Sequence, residues 1–150
     1  MAKEKTLIII KPDGVRKNLI GECLRRFEKR GLKINALRMV KLKESFLKKF
    51  YHHLKSEISS KLFKAIISFM CSSPVVITIL EGEKAIKKVR EICGLTNPQE
   101  AKKGTIRGDF SSGDLAKSTK QNKVTRNIIH SSGGEKEAKK EIKMVDKNLN

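Results

Sequence analysis

Two short runs of β-branched and apolar residues constrain this chain more than any other feature. Thr6 to Ile10 and Val75 to Leu80 are each strand-sized, and both read as buried strands. Between and after them the apolar spacing changes to that of helices. Leu19 to Arg30 carries Ile20, Cys23, Leu24 and Phe27 on one helical face, and Gly31 closes it. Lys33 to Lys41 alternates through Ile34, Ala36 or Leu37, and Met39, as a second strand does. Ser45 is placed to cap a helix running to about Leu54, and Leu62 to Met70 has a further helical face. Gly82 starts a helix through Cys93, with Ile86, Val89 and Ile92 or Cys93 inward. Gly94 to Phe110 is loop chemistry, and Ser111 to Arg126 is polar and basic. Asn127 to Ile129 is a short strand or loop edge, and Glu135 to Met144 a last helix. Lys11-Pro12-Asp13-Gly14 reads as a turn.

The resulting order is β-α-β-α-α-β-α-loop-β-α. It predicts an α+β fold: a ferredoxin-like α/β sandwich with a mainly antiparallel four-stranded sheet and helices on its faces. At 150 residues the chain suits one domain, 1–150. No apolar run is long enough to cross a bilayer, and Met1 to Thr6 is charged with no secretory core. Cys23, Cys71 and Cys93 are odd in number and sit in apolar-periodic stretches, so all three read as reduced core thiols. A cytoplasmic location follows as the expectation.

Lys and Arg total 34 against 16 acids, a net charge of +18. Such a surface attracts polyanions. The lysines are spread along the chain, which speaks for decorated solvent faces over a dedicated binding arm. Weak, non-specific nucleic-acid binding is expected. A basic module that stacks RNA bases needs exposed aromatics, and aromatics are only 5% of this chain.

No Walker A pattern and no GxGxxG after a strand is present, and no Cys/His cluster has zinc spacing. His52-His53 reads as surface with partial packing. Two segments carry chemistry. Thr96-Asn97-Pro98 with Gly104-Thr105-Ile106-Arg107-Gly108-Asp109 places hydroxyls, flexible backbone and a guanidinium in one loop, with Arg90 one helix end away. The Arg fork matches phosphate oxygens. Asn127-Ile128-Ile129-His130-Ser131-Ser132 sets a histidine among small polar residues, where it can act as a nucleophile. Glu141, downstream, is the candidate carboxylate to hold the second ring nitrogen.

Taken with Ile10-Lys11-Pro12-Asp13-Gly14-Val15, Gly21-Glu22, Phe50-Tyr51, Pro74-Val75-Val76 and Glu81-Gly82, these segments resemble the nucleoside diphosphate kinase family. They occur in the family's order from about Thr6 to Glu141. The resemblance implies a ping-pong phosphotransferase acting on nucleoside tri- and diphosphates, ribo and deoxyribo, with magnesium on the phosphates and no protein metal site. It matches His130 to the nucleophile, Glu141 to the orienting carboxylate and Ser132 to the hydroxyl beside it. Lys11 matches the lysine at the transferred phosphate, Tyr51 its neighbour, and Asn127 the amide that holds the sugar. Arg90, Thr96 and Arg107 match the phosphate contacts. Leu62 and Phe63 fall where the family often has two aromatics, the first of which stacks on the base, and Val124 where the opposite wall stands. The family's common Gly-Ser-Asp-Ser after the histidine is here Ser131-Ser132-Gly133-Gly134. The segment between Phe110 and Asn127 is longer than in the commonest form. A homo-oligomer, a hexamer or a smaller assembly of the same dimers, is also implied. An inactive, degenerate member is the remaining alternative; the intact Lys11, Arg90, Thr96, Arg107, Asn127 and His130 argue against it.

Overall fold

The computed structural model describes residues 3–149. Met1, Ala2 and Asn150 lie outside it, and with them the start of the charged Met1 to Thr6 segment. The sheet has the order β2-β3-β1-β4, from β1 (Glu4–Ile10), β2 (Lys33–Val40), β3 (Val75–Gly82) and β4 (Ile129–Ser131). Every neighbouring pair is antiparallel. This is the expected ferredoxin-like arrangement.

β1 is central, so both of its faces need cover, and its apolar run supplies both. Ile8 and Ile10 join Val76 and Leu80 under α2 (Ile20–Lys29) and α5 (Ala85–Cys93), around Cys23, Phe27, Val89 and Cys93. Leu7 and Ile9 join Val75 and Ile77 on the other face, under α3 (Glu44–Phe50), α4 (Ser60–Met70) and α8 (Glu135–Leu149). A strand's period of two thus builds two cores. Phe27 is fully buried between sheet and helix; removing such a ring costs about 3–5 kcal/mol. After α2 the chain turns through Gly31 at φ +83, a conformation that glycine adopts freely.

Several boundaries differ from the sequence reading. Pro12–Arg16 is a short helix, α1, with Pro at its first turn, where its missing N–H is harmless. Ser45 does not cap α3: Lys43 occupies that position without a side-chain bond, and α3 ends at Phe50, followed by a 3₁₀ turn at His52–Leu54. The cap signal belongs to Ser59, whose hydroxyl accepts from Leu62 N at the start of α4. Gly82 ends β3, and α5 begins at Ala85. α6 (Ile106–Phe110) and α7 (Leu115–Lys120) lie within segments read as loop and as polar, basic chain. In β2 a bulge between Ile34 and Ala36 breaks the alternation, leaving Leu37 and Met39 exposed. Cys71 is only half-buried, while Cys23 and Cys93 are in the core as expected.

Candidate active site

β4 is three residues long and pairs with the end of β1, His130 standing opposite Ile9. Its entry is a tight turn. Ile129 N donates to Asn127 O at 2.8 Å, and Ile128 between them has φ +74. For a β-branched residue this region is an outlier, costing of order 1–3 kcal/mol. The segment after β1 surrounds the turn: Lys11 N donates to Ile128 O at 2.8 Å, and Ile128 N to the Asp13 carboxylate at 2.9 Å. Gly14 fits because a Cβ there would stand 2.9 Å from Ile128 O.

The His130 ring is held from behind. Its Nε2 is 3.0 Å from Glu141 Oε1, and the same oxygen accepts from Ser132 Oγ at 2.6 Å. Burial alone would raise Glu141. The hydrogen bond and charge of His130, the Ser132 hydroxyl and His53 outweigh that and leave it lowered. An ionised carboxylate only accepts, so in the neutral ring Nε2 carries the proton and Nδ1 keeps its lone pair. Phe50 and Tyr51 meet the ring edge-on, at 5.4 and 6.4 Å between centroids. Burial pushes the Tyr51 phenol upward, and Glu141 adds to it.

In front of His130 lies a cavity of about 1070 Å³, lined by Lys11, Arg90, Thr96, Arg107 and Asn127 among others. Lys11 Nζ donates to Asn127 Oδ1 at 2.7 Å, and Asn127 Nδ2 to Thr96 O at 2.9 Å. Burial, then the Arg107 charge, pushes Lys11 down to about 8, while Asp13 pulls it back up. Arg107 is 6% exposed. Its two terminal nitrogens donate to Gly94 O at 2.7 Å and Ile129 O at 2.6 Å, and its buried Nε has no hydrogen-bond partner among the described residues. Burial lowers it, with Arg90 adding to the effect.

The structure therefore gathers Lys11, Arg90, Thr96, Arg107, Asn127 and His130 around one space, with Glu141, Ser132 and Tyr51 behind the histidine. It does not bring Leu62, Phe63 or Val124 to that space. Phe63 is buried in the second core, with Lys55 Nζ 5.9 Å from its ring centre, and faces a separate cavity of about 650 Å³. Leu62 is 5% exposed, and Val124 packs against the second core. Ser59 Oγ, at the cap of α4, donates to Asn122 Oδ1 at 2.5 Å and ties the segment carrying Val124 to the turn carrying Leu62. Sequence reasoning missed Lys84, Lys87 and Lys102, which also line the cavity. Among so many lysines no local signal separates them. It also missed Asp13, hidden in what read as a turn. Among the described residues, no group of three or more His, Cys, Asp and Glu could hold a metal ion.

The chain is similar to known proteins along nearly its whole length. It is 43% identical over 147 residues to a nucleoside diphosphate kinase of Sulfurisphaera tokodaii, covering 98% of this chain and 91% of that protein. To that of Francisella tularensis subsp. tularensis it is 46% identical over 143 residues, covering 95% and 93%. Among solved structures, a transition-state mimic of the Borrelia burgdorferi nucleoside-diphosphate kinase, with bound vanadate and ADP, superposes with a TM-score of 0.88 at 41% identity, covering 95% of this chain and 86% of that one. An Aquifex aeolicus nucleoside diphosphate kinase gives 0.83 at 37% identity, covering 99% and 98%. The family model described as nucleoside diphosphate kinase matches residues 4–149, and the chain belongs to that family.

Proposed function

We propose that this chain moves the γ-phosphoryl group of a nucleoside triphosphate to His130, and from there to a second nucleoside diphosphate. The observation that carries the reading is the His130–Glu141 pair, set at the wall of a cavity lined by Lys11, Arg90 and Arg107. The Nδ1 lone pair attacks the γ-phosphorus as the bond to the bridging oxygen breaks, and the nucleoside diphosphate leaves. A terminal β-phosphate oxygen of the acceptor then attacks the same phosphorus, and Nδ1 leaves. Throughout, Glu141 keeps the other ring proton on Nε2. Charge on the equatorial oxygens is met by Lys11 and Arg90, with Arg107 at the floor. Phosphoryl transfer depends mostly on such positioning and neutralisation.

The cavity is predominantly cationic, and among the described residues no group of three or more His, Cys, Asp and Glu could hold a metal ion. Magnesium is read as part of the substrate, bridging the nucleotide phosphates. The segment Ser131-Ser132-Gly133-Gly134 fits that reading, offering no acid of its own. Base-wall roles for Leu62, Phe63 and Val124 rest on the resemblance alone, and Phe63 is committed to the core. Broad base tolerance would follow from such apolar walls, and it rests on the resemblance with them.

The same reading takes 1–150 as one domain, cytoplasmic, and as a homo-oligomer. No helix among the described residues is long and apolar enough to cross a membrane. The free edge of β2, with Leu37 and Met39 more than half exposed, supports self-association. Weak nucleic-acid binding that is lost in salt fits the charge of +18. The deciding experiment incubates the protein with γ-labelled ATP and magnesium, without acceptor. Label that is acid-labile and alkali-stable, discharged by any nucleoside diphosphate and absent in His130→Ala, is the expected result. Turnover by His130→Ala would refute the mechanism.

A further inference from the structure

Ile128 is fully buried at φ +74, two residues before His130. Nothing in an isoleucine favours that conformation, so its surroundings must impose it. The groups that hold the Ile128 backbone itself come from residues 11–14. Lys11 N–H holds the Ile128 carbonyl, the Asp13 carboxylate holds the Ile128 N–H, and Gly14 leaves room for both. Of these, Asp13 is the side chain bonded to the Ile128 backbone itself, while Lys11 Nζ and Arg107 hold its neighbours at Asn127 Oδ1 and Ile129 O. It is 5% exposed, and its second oxygen has no hydrogen-bond partner among the described residues. A carboxylate kept in so dry a place has its position fixed. The His130 ring then has two anchors: Glu141 on α8 behind it, and the turn on its N-terminal side. Loosening the turn would swing the peptide that leads into β4 and tilt the ring relative to the γ-phosphate.

We infer that Asp13 is a positioning residue for phosphoryl transfer, acting through the constrained turn at Ile128. This rests on His130 being the nucleophile. Asp13 also lies close enough to Lys11 to affect its charge, so the test must separate the two routes. Rapid-quench labelling with γ-labelled ATP measures the first half-reaction directly, and ADP affinity is measured alongside. In Asp13→Ala, label should reach the wild-type extent about a hundredfold more slowly, the scale of a small misplacement of reacting groups, with ADP affinity retained. Asp13→Asn keeps an acceptor for Ile128 N–H but loses the charge, and should stay near the wild-type rate at neutral pH. If both variants are equally slow and both recover as pH is lowered, Asp13 acts through Lys11 and the inference is overturned. A wild-type rate in Asp13→Ala overturns it too. Should Asp13→Ala not fold, Gly14→Ala presses on the same turn with every charge in place; slow labelling supports the inference and a wild-type rate refutes it. Failure of the underlying reading looks different: wild-type protein would take no label, or His130→Ala would keep it.

Discussion

At the scale of single residues, two ionisable groups set the expected pH behaviour. Lys11 is pushed down to about 8 by burial and Arg107. It is cationic below that value and neutral above, so kcat/KM should fall as pH rises through about 8. Bound phosphate favours the charged form, which moves the same limb of kcat upward. Lys11→Arg should remove the limb, and a pH profile of both parameters checks this. Stability responds in the opposite sense. Between about 8 and 10.5 the unfolded chain binds more protons at this residue than the native one, so its unfavourable contribution fades as pH rises. Glu141 behaves conventionally: its lowered folded value gives stability that is present above the unfolded value and lost as pH falls through the folded one. Glu141→Gln should slow His130 labelling about a hundredfold without abolishing it, because an amide can still meet Nε2 but no longer enforces its proton. Unchanged labelling in that variant would remove Glu141 from the mechanism.

At the scale of elements, α4 depends on a cap that also ties down a loop. Ser59 accepts from Leu62 N and donates to Asn122. Ser59→Ala should destabilise the protein by about 1 kcal/mol, read from urea unfolding, and should raise protease sensitivity in 111–126. Neither effect is expected from Ser45→Ala, since Ser45 is not the cap of α3. Which elements could be read from residues follows a physical line. β1 and β3 were legible because dense β-branched runs suit a strand buried on both faces. α1 was not, because Pro12-Asp13-Gly14 has the chemistry of a turn and becomes helical only against the sheet and Ile128. β4 begins at Ile129, not Asn127, because the turn at Ile128 runs against its own residue's preference, which no local pattern announces. In the site, His130 and Glu141 were legible through the family resemblance of the surrounding motifs, not through their spacing alone. The backbone engagement of Arg107 was not, since both its partners are carbonyls distant in sequence.

At the scale of the whole molecule, the longer of the two sheet edges carries exposed apolar side chains. β2 stands at the end of the sheet with Leu37 53% and Met39 57% exposed. Leu37→Lys with Met39→Lys should leave the fold intact, since neither side chain is in the core. It should shift the assembly towards monomer in light scattering, while His130 labelling persists. An unchanged mass would assign self-association to another surface. The weak, salt-sensitive nucleic-acid binding proposed above belongs to this scale too, since it would follow from summed charge and not from any one contact.

The two core thiols have a consequence for chemistry in oxidising conditions. Burial pushes Cys23 up to about 12 and Cys93 up to about 11, so neither supplies thiolate at neutral pH. Peroxide therefore has little to attack near the histidine, and catalysis should survive exposure that inactivates enzymes with activated cysteines. A thiol that cannot react while covered also serves as a clock. Alkylation of Cys93 can proceed only when α5 lifts from the sheet, so its rate against that of half-buried Cys71 would time how often this enzyme opens.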